Sequence, residues 1–172
     1  MDKLFDIKLC WDRDSNCISD NSNVWEGKIL LYEDNWFEGF VVDSKNPNNT
    51  EEFVWGVYYP DKVIDLYKFL NVRGCFLLYF KGRKTVNGYE GKFESSGPIS
   101  ERTIGVSNIV TQCSELVRDN VDLETNEFAD KIKNYIHFKI NQDDLFYYKH
   151  FIAHRKSICE LDLGQNEGTK NL

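Results

Sequence analysis

Short runs of alternating polar and apolar residues, punctuated by turn residues, follow one another from residue 5 to residue 111. That rhythm constrains the fold more than any other feature of the chain. Phe5, Ile7, Leu9 and Trp11 alternate with Asp6, Lys8 and Cys10, the period of a half-buried strand. Residues 12–23 are rich in Asp, Asn and Ser and read as a loop. Further strands are expected at 24–32, 36–43, 52–59, 62–70, 74–81, 88–94 and 102–111. Their separators carry turn chemistry: Asp34-Asn35, Asn46 to Asn49, Pro60-Asp61, Asn71 to Gly74, Gly82 to Asn87 and Ser95 to Pro98. No helical period interrupts this stretch, so an antiparallel meander is expected rather than an α/β alternation.

Glycine suggests how such a sheet ends. Gly27, Gly39, Gly56, Gly91 and Gly105 sit inside expected strands, where glycine is usually disfavoured. Close strand approach and tight coiling call for it there, and closure into a barrel removes the exposed edges of a long sheet. An open, strongly bent sheet crossed by helices is the plainer alternative. A two-residue turn at Asp34-Asn35 would set Leu31 opposite Glu38 and Ile29 opposite Phe40. One face would then carry Trp25, Ile29, Leu31, Trp36, Phe40 and Val42 as the interior, and Glu38 would fall on it.

Beyond residue 112 the period changes. Phe128, Ala129, Ile132, Tyr135 and Ile136 make one helical stripe, with Thr125 as the expected N-cap. A second helix is expected over 142–160, opened by Asn141 and Asp144 in a capping arrangement and buried through Leu145, Tyr148, Ile152 and Cys159. The expected organisation is a barrel over 1–118, a helical appendage over 119–162 and a polar tail over 163–172.

Composition removes several functions. The net charge of −7 argues against a general nucleic-acid binder. No eighteen-residue apolar run spans a membrane, and the first residues do not read as a secretory signal. Five cysteines without CxxC spacing fit free thiols in a reducing cytoplasm. Walker, GxGxxG and GxSxG motifs are missing, so no cofactor is expected and no enzyme is read from the chain. His150 and His154 have the spacing of two metal ligands but no evident third, and a metal site is not expected. Lys81-Gly82-Arg83-Lys84 reads as a hairpin tip, either solvated or attractive to an anion.

The aromatic content of 15% is high. Trp25, Trp36, Trp55 and Tyr67 are candidate walls of a ligand cavity, although strand aromatics are more often core. Glu38, in the apolar run Trp36 to Val42, is a candidate polar anchor; Asp65 poses the same question within Val63 to Tyr67. The plain reading of both is a structural hydrogen bond. A pair of acid–base carboxylates is a third, weaker option.

Trp25-Glu26-Gly27 opening a strand, then a meander and late helices, resembles the calycin group of lipocalins and fatty-acid-binding proteins. The order here is Trp-x-Gly where lipocalins have Gly-x-Trp. The resemblance covers residues 24–111 and implies a calycin-like barrel that binds a small, partly apolar ligand without catalysis. The alternative is an acidic inhibitor or immunity-type protein that meets a basic protein partner through Asp12 to Asp20 and Glu33-Asp34.

Overall fold

The computed structural model describes residues 2–12, 23–46, 48–72, 75–96, 104–113 and 121–170. Eight strands run in chain order: β1 Lys3–Asp12, β2 Asn23–Leu31, β3 Trp36–Asp43, β4 Glu51–Tyr59, β5 Val63–Val72, β6 Cys75–Thr85, β7 Gly88–Ser96 and β8 Ile104–Cys113. Each pairs antiparallel with its neighbours in sequence, and β1 pairs with β8, from Phe5 opposite Cys113 to Asp12 opposite Val106. The meander therefore closes into a barrel, and no open sheet remains. Helix α1 (Val121–Asn134) runs into a π-helical turn at Tyr135–Lys139, and α2 (Gln142–Lys170) follows.

Glycine makes closure possible at two well-defined places. A Cβ on Gly27 would lie 1.8 Å from the Phe40 carbonyl oxygen, and one on Gly91 would lie 1.7 Å from that of Lys81. Neither distance admits any other residue, so β2–β3 and β6–β7 approach as closely as they do because these positions lack a side chain.

Alternation sorts the barrel residues into two cores. Phe5, Ile7, Leu9, Trp25, Ile29, Phe37, Tyr58, Phe80, Tyr89 and Phe93 belong to the lumen. Rings touch across it: Phe5 lies 5.3 Å from Tyr58 and Trp25 lies 5.4 Å from Phe80. An eight-stranded barrel encloses a space that side chains can fill, and here large ones do. The second core lies on the outer wall beneath the helices, where Leu30, Trp36, Phe40, Phe53, Trp55 and Val57 meet Phe128, Ile132, Ile140 and Tyr148. Trp36 and Trp55 are fully buried, and each contributes on the order of 2–3 kcal/mol or more through apolar burial.

The β2–β3 register differs from the expected one by a single residue. Leu31 stands opposite Phe37, Leu30 opposite Glu38 and Ile29 opposite Gly39. The turn has three residues, Glu33 to Asn35. Tyr32 N–H bonds to the Trp36 carbonyl at 2.8 Å, Asn35 N–H bonds to the Tyr32 carbonyl, and Asn35 takes a left-handed φ of 65°. The extra residue inverts β3. Phe37 and Val41 point inward, while Trp36, Glu38 and Phe40 point outward under the helices.

Other boundaries move for local reasons. Strand β6 continues to Thr85, and the hairpin turns on Val86-Asn87, so Lys81 to Lys84 lie within a strand and not at a tip. Helix α1 begins at Val121, which places Thr125 inside it and not at its cap. Asn141 does cap α2: its side-chain oxygen accepts from Asp144 N–H at 2.7 Å, and its amide donates to the Asp144 carboxylate at 2.8 Å. Helix α2 runs to Lys170 past Gly164 and Gly168, so the backbone of 163–170 is helical where a tail was expected. Each glycine costs about 1 kcal/mol in a helix, which is why the sequence pattern points to an earlier end. No helix among the described residues is long and apolar enough to cross a membrane.

Candidate functional site

Of the six candidate ligand residues, the structure places five on the outer wall. Trp36 and Glu38 come from β3, Trp55 from β4, and Asp65 and Tyr67 from β5; Trp25 alone faces the lumen. Trp36, Glu38, Trp55 and partly buried Tyr67 lie in a seam between barrel and helices, while Asp65 is held by β6. Trp55 stacks on Tyr67, and Tyr67 stacks on Tyr79 with ring centres 4.7 Å apart. Tyr148 and Phe151 of α2 meet the Trp55 ring edge-on.

Glu38 is the polar centre of that seam. The Tyr148 hydroxyl donates to its Oε2 in a short hydrogen bond. Burial pushes the Glu38 carboxyl above its ordinary range, and the hydroxyls of Tyr148 and Tyr32 and the Arg155 charge oppose that rise in part. Both tyrosines are in turn pushed up, first by burial and then by the Glu38 charge. One helical turn-pair further along, Arg155 Nε lies 3.0 Å from Asp34 Oδ2, while Asp34 Oδ1 accepts from Trp36 N–H in the β2–β3 turn. Hairpin and helix are thus joined through a carboxylate that also shapes the turn.

Asp65 is fully buried and has its own partners: Arg83 Nη1 at 3.0 Å and the Tyr79 hydroxyl at 3.3 Å. Arg83, expected at a loop tip, is spent on this ion pair. The two carboxylates are served by separate sets of groups.

Trp25 stands at the end of the barrel where β1 finishes and β2 starts. Trp11 packs against it at 6.0 Å and against Phe93 at 4.8 Å. Lys68, buried on β5, holds its ammonium 4.9 Å from the Trp25 ring centre, donates to the Phe69 carbonyl at 3.1 Å and lies 3.2 Å from the Glu52 carboxylate. Among the described residues, the buried indole N–H groups of Trp11 and Trp25 meet no acceptor. Trp55 in the seam shares this condition, whereas the Trp36 indole acts on the Tyr148 hydroxyl. The Lys68 ammonium over the Trp25 ring and the two indole donors thus lie at the same end of the barrel. Sequence reasoning passed over Lys68, yet parity would find it, because Ile64, Leu66 and Lys68 share one face of β5.

Among the described residues, clefts lie outside the barrel at two places that matter here. One of about 740 Å³ separates α1 from the β3–β4 connection; there Lys131 pairs with Glu51 and sits over the Phe40 ring. The other opens on the outward side of the helical hairpin. His150 and His154 bring their rings to 4.7 Å on the exposed side of α2, and among the described residues no third ligand joins them. The acidic stretch at 13–20 lies outside the described residues. No protein-family model matches the chain, and neither a curated protein nor a solved structure does. The calycin likeness therefore extends to a meander barrel followed by helices and no further.

Proposed function

We propose that the chain is a non-enzymatic, calycin-like binding protein that takes a small, partly apolar ligand at the Trp11–Trp25–Lys68 end of its barrel. The carrying observation is the pairing of two buried indole donors that lack acceptors with a buried ammonium. Leaving buried donors unmatched costs about 1–3 kcal/mol each, which a ligand oxygen would recover. A carboxylate or comparable anion would compete with half-exposed Glu52 for Lys68, and the apolar remainder would lie against Trp25. Trp11 is only partly buried and is the ring that must give way. Of the candidate residues, this reading keeps Trp25; Trp36, Glu38, Trp55 and Tyr67 act outside the barrel as the seat of α2, and Asp65 as the partner of Arg83.

Native mass spectrometry after incubation with host extract tests it. The expected result is an adduct of a few hundred daltons, the mass of a pocket-sized ligand. It should be lost in Lys68→Met and retained in Glu38→Gln. A bare protomer, or retention of the adduct by Lys68→Met, refutes the reading.

The filled lumen favours a second reading, in which the barrel is a scaffold and an acidic surface binds a basic protein. A second polypeptide in the same spectrum, released by salt, would support it.

A further inference from the structure

The cleft on the outward side of the helical hairpin has a chemistry at odds with the rest of the molecule. It measures about 530 Å³ and lies between the end of α1, the π turn and the first two turns of α2. Ile136 and Leu145 form its floor and Phe138 one wall, while Lys133, His137 and Lys149 surround it. Among the described residues no carboxylate lines it, in a chain whose net charge is −7. Asp143 and Asp144 open the same helix without lining the cleft; the Asp144 carboxylate is held by the Asn141 amide, and Asp130 lines the other cleft.

Exposure supplies a second, independent observation. Phe138 is 74% exposed and Phe146, one residue beyond Leu145, is 72% exposed. Isolated surface apolar residues are ordinary, but an exposed Phe138 that lines the cleft together with Ile136 and Leu145 marks a contact surface. The corner is built on a π turn, closed by the Ile140 N–H bonding five residues back to the Tyr135 carbonyl, and such turns concentrate at functional sites.

We propose that this groove docks an acidic, amphipathic segment of a partner protein. An apolar side chain of that segment rests on Ile136 and Leu145 against Phe138, and flanking carboxylates meet Lys133 and Lys149. The volume suits one or two side-chain anchors, and a groove between helices is a common seat for an amphipathic segment. The overall negative charge does not forbid it. At physiological salt, charges beyond about 8 Å are screened, so a bound carboxylate senses the rim. The partner chemistry is opposite in sign to the one that net charge alone suggests. This surface also shares no residue with the barrel-end site, so either can fail without the other.

The test is selection of random displayed peptides on the full chain, with counter-selection on the double variant Lys133→Glu/Lys149→Glu. Both rim lysines are exposed, and circular dichroism of the variant is to show that it folds as the wild type does. Enriched peptides should carry an apolar anchor flanked by Asp or Glu. A labelled copy should bind less tightly as salt rises, about tenfold less tightly to the double variant, and more weakly to Phe138→Ala. Failure to enrich, enrichment of neutral or basic peptides, or affinity indifferent to the charge reversal overturns the proposal. So does capture by phosphatidylserine vesicles that depends on the same residues and is not competed by the peptide, since the surface would then be a lipid contact.

Discussion

Replacing Glu38 by Gln should change how stability depends on pH, in a direction fixed by its place in the seam. An ordinary glutamate titrates near 4.5, and burial holds Glu38 above that value in the fold. The folded state therefore favours the protonated form more than the unfolded chain does. Below 4.5 both states are protonated and the contribution is fully present. As pH rises from there through the folded value, the wild type loses stability, about 1.4 kcal/mol for each unit separating the two. The Gln variant keeps an acceptor for Tyr148 and has no proton to lose. Urea denaturation of both proteins from about pH 4 to about pH 8, followed by circular dichroism and by the fluorescence of Trp36 and Trp55, gives the difference directly. Other titrating groups, Asp144 among them, are common to both and cancel. The wild type should fall relative to the variant as pH rises. A constant difference, or a wild type that gains, would mean that Glu38 is not buried against Tyr148, and the seam would need another explanation. Tyr148→Phe tests the same contact from the other side. Removing a hydrogen bond to a charged group costs about 1.5–3 kcal/mol, or about 3–12 °C in Tm for a chain of this size.

Arg83→Met removes the guanidinium paired with buried Asp65, and a destabilisation of about 3–5 kcal/mol is expected in chemical denaturation. Asp65→Asn/Arg83→Met should recover part of it. Gly27→Ala should cost about 3 kcal/mol or more, or prevent soluble expression, because its Cβ meets the Phe40 carbonyl. A normal melt for that variant would contradict the β2–β3 approach. Phe37→Ala should destabilise by about 3–5 kcal/mol by opening a hole in the lumen; under the opposite register it would disturb the helical seam instead, which tryptophan fluorescence separates.

The strands were legible because turn residues and alternation agree along the chain, and the sites of closure were legible as misplaced glycines. The facing of β3 was not. Both of its faces are apolar, since α1 and α2 cover the outside, so alternation offers nothing to fix parity between Trp36 and Phe37. Parity then rests on whether the turn has two or three residues, and Asn35 supports either length until its left-handed φ is known. Glu38 illustrates the consequence. Its burial was readable from its neighbours, but the side of the wall it occupies hung on one turn residue. Lys68 hid for the opposite reason, because a lysine in a strand reads as solvent-facing. The helical groove was illegible altogether, as it depends on how two helices meet.

Barrel closure also sets an order of events. Strand β1 is the first to be made and β8 the last, and Phe5 must wait for Cys113 before its outer hydrogen-bonding edge is satisfied. Contacts of such sequence separation form late and slowly, so β1 passes through folding as a bare edge. Its outward positions carry Asp6 and Lys8, both exposed, and alternating charge is what keeps a bare edge from pairing with another chain. These surface residues contribute little once the barrel is complete. Their importance lies in the interval before it closes, and their neutralisation should appear as aggregation during refolding rather than as a lower melting point.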